Sequence, residues 1–246
     1  MLDNSNVSEN YLADEAAIAI EINGVSYAVM MATPEDITDF AIGFLFSESI
    51  INHFYDIHDI QDHASQYGLT IQITIANRCN QLLKHRVRQL KGVSGCGMCG
   101  TQALNQAFPE QSILPQSSPP QENVLTHLRE KLNKWQERAK HSGAMHAAFW
   151  LDKDANIQLC REDIGRHNAL DKLIGALIQE KVSPQSGILL ITSRCSSELI
   201  QKTLRFGATT LMSLASPSQL AVNLASTHNL NLIHLPRHKL PIYYMP

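Results

Sequence analysis

The sequence has no large excess of either charge and no long apolar run. It carries 20 Lys and Arg against 23 Asp and Glu, a formal net charge of −3, so no overall positive field favours nucleic acid. No run of about eighteen apolar residues occurs, roughly the length that a membrane-spanning helix needs. Residues 1–6 are polar and lack the basic-then-apolar order of a signal peptide. The sequence therefore predicts neither a membrane protein nor a nucleic-acid-binding protein.

Cysteine is scarce, and the count of five is odd. This count fits a reducing compartment better than a secreted disulfide scaffold, so we expect a cytoplasmic protein. Hydrophobic residues make up 44% of the chain and charged residues 17%, which suffices for a sizeable core. The length of 246 residues fits one large or two modest domains.

Residues 1–110 predict the smaller of two domains, of the α+β class, ending in a Cys-x-x-Cys loop. Asn23-Gly24 lies between two apolar stretches and predicts a hairpin turn. Thr33-Pro34 is typical of a helix start with proline at the first helical position. The predicted elements are two strands, a helix with an apolar stripe, a half-buried strand and a basic helix, at residues 17–22, 25–31, 37–45, 69–75 and 80–90.

Residues 108–121 are rich in Pro, Ser and Gln and predict a linker. Beyond it, helices alternate with strands through residues 120–246, and Gly187–Thr192 is almost continuously apolar, as in a sheet covered on both faces. This alternation predicts an α/β fold with a three-layer sandwich. The predicted helices are 124–135, 163–178, 196–205 and 216–225, with Asp163, Gly207 and Ser216-Pro217 at their ends, and the predicted strands are 144–151, 157–161, 187–192, 209–214 and 230–235.

Two thiols separated by two residues lie in Gly95-Cys96-Gly97-Met98-Cys99-Gly100. A thiolate is the reactive form of cysteine, and a Cys-x-x-Cys setting or nearby cations lower its pKa. Three uses are open. Half of a zinc site would need further ligands at short spacing, and the sequence has no second Cys-x-x-Cys. A dithiol switch would follow a strand rather than a glycine-rich loop. A carrier of activated sulfur would accept a sulfur atom on one thiolate and pass it on. Incidental cysteines in a tight turn are the alternative that the three glycines disfavour.

Two polar segments follow predicted strands and open predicted helices: Arg161–Asn168 and Thr192–Glu198. In open α/β sheets ligands bind beyond the carboxyl ends of the strands, at helix N-termini. Arg166, His167, Arg194 and Ser196 are therefore candidates for an anion cradle, although helix capping and a surface ion pair explain these residues equally well. Cys79 and Cys160 are predicted to be small buried hydrophobes. The role of Cys195 is ambiguous.

From residue 124 onward, the predicted element order is that of the cytidine-deaminase-like fold. Zinc deaminases need His-x-Glu and then Pro-Cys-x-x-Cys. The corresponding positions are His167-Asn168-Ala169 and Arg194-Cys195-Ser196-Ser197, so the glutamate and one cysteine are missing. We expect the scaffold without zinc deamination, and no resident metal.

Several motifs occur together in one order along the chain: Asn23-Gly24, Ala41–Phe46, Ser94–Gly100, His146–Ala148, Arg161–Lys172, Ser193–Ser196 and Ala215–Ser218. Together they resemble the FdhD/NarQ family, the formate dehydrogenase accessory sulfurtransferases. The resemblance covers nearly the whole chain, and its longest motif, Arg161–Lys172, is very specific.

The resemblance implies a cytoplasmic protein, often a homodimer, whose residues 120–246 form a cytidine-deaminase-like, cofactor-binding domain. Members of this family take sulfur from a cysteine desulfurase as a persulfide. They pass it to the molybdenum or tungsten bis-guanine-dinucleotide cofactor, a bound substrate that formate dehydrogenase then receives. Carried over, Cys96 would hold the persulfide and Cys99 would assist transfer. A non-catalytic chaperone that binds the cofactor and the apo-enzyme is the alternative.

A family cofactor-binding segment falls near the C-terminus. Arg237 in this segment, together with the two helix starts named above, would line one pocket for the diphosphate of a guanine nucleotide. Two departures from the family pattern occur: Gly95 replaces a common serine, and Leu235-Pro236 is an unusual beginning for the segment. The residues of this C-terminal segment are Leu235, Pro236, Arg237, His238, Lys239 and Leu240.

Overall fold

The structure is a computed structural model that describes residues 12–66, 68–80, 83 and 111–245. The predicted loop with Cys96 and Cys99, and most of the basic helix before it, lie outside the described residues. The described part contains a four-stranded and a six-stranded β-sheet together with helices. This architecture confirms the α/β class. None of the described helices is long and apolar enough to cross a membrane.

The four-stranded sheet has the order β2-β1-β4-β3. Asn23 and Gly24, with φ of 49° and 75°, form the predicted two-residue turn between β1 and β2, which pair antiparallel. β1 pairs parallel with β4, and its isoleucines face a core that helix α1 covers. The elements are β1 Ala16–Ile22, β2 Val25–Ala32, α1 Ile37–Ser47, β3 Ile57–Ser65 and β4 Gly68–Ile75.

The six-stranded sheet has the order β10-β9-β8-β7-β5-β6. β5 and β6 form an antiparallel hairpin, β7 is antiparallel to β5, and β7, β8 and β9 are parallel. The strands are β5 His146–Asp152, β6 Ile157–Asp163, β7 Gly187–Arg194, β8 Thr210–Ala215, β9 Asn231–His234 and β10 Ile242–Tyr244. The helices are α2 Glu122–Leu125, α3 Leu128–Trp135, α4 Glu137–Ser142, α5 Arg166–Gln179, α6 Ser197–Phe206 and α7 Gln219–Thr227.

Alternate residues of the six-stranded sheet enter two cores. Leu128 and Leu132 of α3 pack with Phe149 and Leu190 on one face, and helices α5, α6 and α7 pack on the other. The result is a sheet with helices on both faces, as the near-continuous apolar strand β7 predicted. The division of the chain into domains at residues 1–110 and 120–246 stays a prediction.

Helices α1 and α5 join the two sheets through direct backbone contact. A Cβ atom on Gly43 would lie 1.8 Å from the carbonyl oxygen of Asp171, and one on Gly175 would lie 1.9 Å from that of Asp39. Only glycine fits at these two positions. The close crossing fixes where α5 begins relative to strand β2.

Three predicted helix N-caps lie a few residues before the observed helix starts, and two of them, Thr33 and Asp163, have other partners. α1 begins at Ile37, three residues after Pro34, since Thr33 bonds to residues beyond position 160. Asp163 ends strand β6, and Gly165 is the N-cap of α5. Ser218, rather than Ser216, caps α7 by accepting from the backbone N–H of Ala221 at 3.2 Å. The predicted C-cap at Gly207 is confirmed, with φ of 91°.

The described part of the predicted linker, residues 111–121, is packed against the six-stranded sheet. Leu114 is buried and its N–H donates to the carbonyl of His228 at 3.0 Å. Asn231 donates to the carbonyl of Ser117 at 2.9 Å. This stretch is therefore bound along the sheet instead of being a free connection. The helix predicted over 124–135 is broken in two by His127, which has φ of 59°.

Candidate functional site

The polar segments singled out in the sequence meet at the side of the six-stranded sheet where its parallel strands end, which we call the carboxyl edge. Arg194 at the end of β7 pairs with Ala215 at the end of β8, and Ser213 pairs with His234 at the end of β9. Because β5 runs the other way, its first residue, His146, lies at this same edge. The starts of α5 and α6 and the segment after β9 all follow strands that end here. The strand pairings thus place the carboxyl ends of β6, β7, β8 and β9 on the same side of the sheet.

A buried polar network anchors the start of α5. Lys172 and Asp163 are both fully buried, and the Lys172 ammonium lies 2.8 Å from the Asp163 carboxylate. The ammonium also donates to the carbonyl of Thr33 at 2.9 Å. Asp163 accepts from the backbone N–H groups of Thr33 and Gly165 and from the side chain of Asn168. Burial lowers the pKa of Lys172, and Asp163 opposes that change. The network ties the helix start to strand β2.

The side chain of His167 lies in a cavity of about 330 Å³ between α1, α5 and α6. Its Nε2 is 3.1 Å from the carboxylate of Glu198. Burial lowers the pKa of His167, with help from Lys202 and Arg166, while Glu198 and Asp171 oppose it. In the same cavity Asp171 accepts hydrogen bonds from Ser47 at 2.7 Å and from Lys202. Three carboxylates and one lysine line this cavity: Glu48, Asp171, Glu198 and Lys202. The cavity therefore suits proton exchange or a cation better than a diphosphate.

Arg166, at the start of α5, and Arg194, at the end of β7, form no ion pair with any carboxylate in the described ranges. Arg166 is half-buried and Arg194 is exposed. Burial lowers the pKa of His146, and Arg166 lowers it further. Near Arg194, the hydroxyls of Ser196 and Ser213 are buried and have no hydrogen-bond partner among the described residues. Buried hydroxyls normally have a partner, so the Ser196 hydroxyl, in a partly exposed residue at the start of α6, favours this place as one that receives a polar ligand.

The segment after β9 lines a second cavity, which we call the tail cavity. Its volume is about 300 Å³ and its wall includes Leu235, Pro236, Arg237, Lys239 and Leu240. His238 is exposed and does not line it. The tail residues and His167 thus line different cavities. Arg166, Arg194 and Ser196 line neither of the two. One ligand contacting all three segments stays a prediction.

Arg129 is a residue of this edge that sequence reasoning missed. It lies on α3 and donates to the carbonyl of Leu214 at 2.7 Å and to that of Leu235. These partners are 85 and 106 residues away in the sequence. Nothing in the local pattern of α3 could have indicated contacts over such separations.

The three described cysteines are poor nucleophiles. Burial raises the pKa of Cys160 and of Cys195 to about 12, and burial with the Asp56 charge raises that of Cys79. A thiol must ionise to react, so the structure makes Cys195, which the sequence left ambiguous, an inert core residue. Over residues 12–66, 68–80, 83 and 111–245, no group of three or more His, Cys, Asp or Glu is placed to hold a metal ion.

Comparison with known proteins gives one consistent family. The model of the FdhD/NarQ family matches residues 13–246. Relatives named sulfur carrier protein FdhD include one from Cupriavidus necator, 40% identical over 97% of this chain and 83% of that protein. Another, from Bordetella petrii, is 36% identical over 92% of this chain and 82% of that protein. A solved structure of a formate dehydrogenase accessory protein from Desulfotalea psychrophila has a TM-score of 0.70 and 22% identity over 96% of this chain and 88% of that one. At that identity the likeness shows a shared fold.

Proposed function

Because this chain belongs to the FdhD/NarQ family, we propose that it is a sulfur carrier that serves formate dehydrogenase. The observation that supports this most strongly is the similarity to sulfur carrier proteins along almost the whole chain, together with Cys96-Gly97-Met98-Cys99. We propose further that the chain is a sulfurtransferase with a persulfide intermediate. A cysteine desulfurase is its sulfur donor, formate dehydrogenase receives the product, and the protein acts in the cytoplasm as a homodimer.

Cys96 is the proposed acceptor of sulfur. Its thiolate attacks the outer sulfur of the desulfurase persulfide, a new sulfur–sulfur bond forms on Cys96, and the desulfurase thiolate leaves. Attack by the Cys99 thiolate on the inner sulfur then releases hydrosulfide and leaves a Cys96–Cys99 disulfide, which a thiol reductant reopens. The pKa values near 12 at Cys160 and Cys195 support this assignment, because thiols held protonated cannot perform either attack.

The proposed sulfur acceptor is the molybdenum or tungsten bis-guanine-dinucleotide cofactor, bound as a substrate by a cytidine-deaminase-like domain over residues 120–246. The strand order β6-β5-β7-β8-β9, with helices on both faces, supports that choice of scaffold. The carboxyl edge offers what a diphosphate needs, namely guanidinium groups and helix N-termini. The proposed cofactor-binding residues are Arg166, His167, Arg194, Ser196 and the segment Leu235, Pro236, Arg237, His238, Lys239 and Leu240. No resident metal is part of this proposal.

Within this set, the geometry favours different tasks. Arg194 and Ser196 lie at the start of α6, where an anion is received well. The His167–Glu198 pair lies in an acidic cavity, so within the proposed cofactor site His167 is suited to exchanging a proton rather than to contacting a phosphate. The Lys172–Asp163 network holds Arg166 and His167 in position by fixing the start of α5.

A non-catalytic chaperone that only binds the cofactor and the apo-enzyme is the alternative, and Cys96 separates the two. In cells that lack this protein, Cys96→Ala should fail to restore formate dehydrogenase activity. Cys160→Ala, the matched removal of a partly buried thiol whose pKa is raised to about 12, should restore it. Full restoration by Cys96→Ala would favour the chaperone.

A further inference from the structure

The tail cavity lies between helix α3 and the segment that follows strand β9. Three cations line it: Arg129, Arg237 and Lys239. Two carboxylates, Glu122 and Glu130, also line it, and Glu130 lies 3.3 Å from His127. None of the three cations forms an ion pair with a carboxylate of the described chain, and the three cations outnumber the two carboxylates, so the wall of the cavity carries a net positive charge.

Two hydrogen bonds hold the guanidinium of Arg129 in place, and one of its buried donors has no partner among the described residues. Its Nη2 donates to the carbonyl of Leu214, near the end of β8, and to that of Leu235, the residue after β9. The Nε–H of the same guanidinium is buried and has no partner within the described residues. A buried donor without a partner is costly. Because two carbonyls fix the plane of the guanidinium, the side chain cannot turn away to satisfy that donor elsewhere.

Arg129 and Arg237 are neighbours of like charge. Burial lowers the pKa of Arg129, and the Arg237 charge lowers it further. Burial and the Arg129 charge lower the pKa of His234, which ends strand β9. Two guanidinium groups that repel each other across a cavity are stabilised when an anion binds between them, and planar guanidinium forks suit phosphate oxygens.

We infer that Arg129 is a second guanidinium contact, together with Arg237, for a phosphate-bearing anion in the tail cavity. The inference rests on the proposed function only for the identity of that anion, the diphosphate of a guanine dinucleotide. Arg129 belongs to α3, to which no sequence motif assigns a role. The acidic cavity around His167 would repel the same group, so the diphosphate belongs at the tail end of the edge.

The test is calorimetric titration at one fixed ionic strength, with GDP, inorganic pyrophosphate and guanosine as the three probes. The proteins are wild type, Arg129→Gln, Arg237→Gln and the double variant. Lys153→Gln, which removes one exposed positive charge in the turn between β5 and β6, is the matched control. Thermal melting establishes that each variant is folded. Arg129→Lys replaces Arg129→Gln if the latter unfolds, because it keeps the charge and removes the Nε donor.

Each single arginine variant should weaken GDP and pyrophosphate binding about tenfold or more, as expected when a charge-assisted hydrogen bond is lost. The double variant should lose less than the product of the two single losses, because both contacts engage one group. Guanosine should show no such dependence, and Lys153→Gln should bind like wild type.

Three results would overturn the inference: wild-type affinity in folded Arg129→Gln or Arg129→Lys, an equal loss in Lys153→Gln, or no binding of either anion to wild type. If Arg237→Gln alone loses GDP binding, Arg129 is not a contact for the anion, and the proposed function is unaffected. Anion binding that depends on Arg129, found together with full activity of Cys96→Ala in cells, would keep the inference and contradict the sulfur-carrier proposal.

Discussion

Replacing Lys172 by methionine should destabilise the protein strongly. The ammonium of Lys172 and the carboxylate of Asp163 are fully buried and 2.8 Å apart. Removing one partner of a buried pair typically costs about 3–5 kcal/mol, because the remaining charge stays buried without compensation. Asp163 would still accept from two backbone N–H groups and from Asn168. We therefore expect the lower end of that range, about 3 kcal/mol.

The assay is urea unfolding followed by tryptophan fluorescence, to which the buried Trp150 and the exposed Trp135 both contribute. With a slope of about 3 kcal/mol per molar urea, the midpoint should fall by about 1 M. Lys153→Met, the same substitution at an exposed position, should stay within about 0.5 kcal/mol of wild type. The double variant Lys172→Met with Asp163→Asn should recover part of the loss, because it leaves no buried charge.

Two outcomes would refute this reasoning. A Lys172→Met protein as stable as the Lys153→Met control would show that the pair contributes nothing. Strictly additive losses in the double variant would show that the two side chains act independently, against the geometry of the network.

Two further predictions follow from buried titratable groups. Burial lowers the pKa of His146, His167 and His234, so the unfolded chain binds protons first as the pH falls. Stability should decline below about pH 6.5, and equal urea midpoints at pH 7.5 and pH 5.5 would contradict this. Native protein treated with iodoacetamide at pH 8 should be labelled at Cys96 and Cys99 but not at Cys160 or Cys195, whose pKa values burial raises to about 12. Peptide mapping would detect the labels, and labelling of Cys195 in native protein as fast as in urea would exclude the claim that it is inert.

Elements that are specified by a clear local sequence pattern could be predicted from the sequence. Asn23-Gly24 adopts the positive φ angles that its two-residue turn requires, and the apolar run of β7 is typical of a strand covered on both faces. Strand β3 was missed because its residues are almost all polar or exposed. The three-residue strand β10 lies at a sheet edge and carries too little pattern to detect.

Contacts between distant residues explain the errors at the site. Thr33 and Asp163 look like helix caps, yet they bond to each other across 130 positions, and such contacts leave no local pattern. The same holds for Arg129, whose partners are Leu214 in strand β8 and Leu235 just after strand β9. The meeting of the polar segments at one edge could be predicted, because parallel strands place their carboxyl ends together. The division of that edge into an acidic and a cationic cavity depends on side chains from α1, α3 and α6.

The sulfur-carrier claim is tested most directly by the intact mass of the protein after incubation with a cysteine desulfurase and cysteine. The proposal predicts the addition of a single sulfur atom, removed by reductant and located on the peptide that contains Cys96. Cys160→Ala and Cys195→Ala should gain the same sulfur, whereas Cys96→Ala should gain none. Sulfur gained equally by Cys96→Ala, or no gain by a wild-type protein that activates formate dehydrogenase, would contradict the claim.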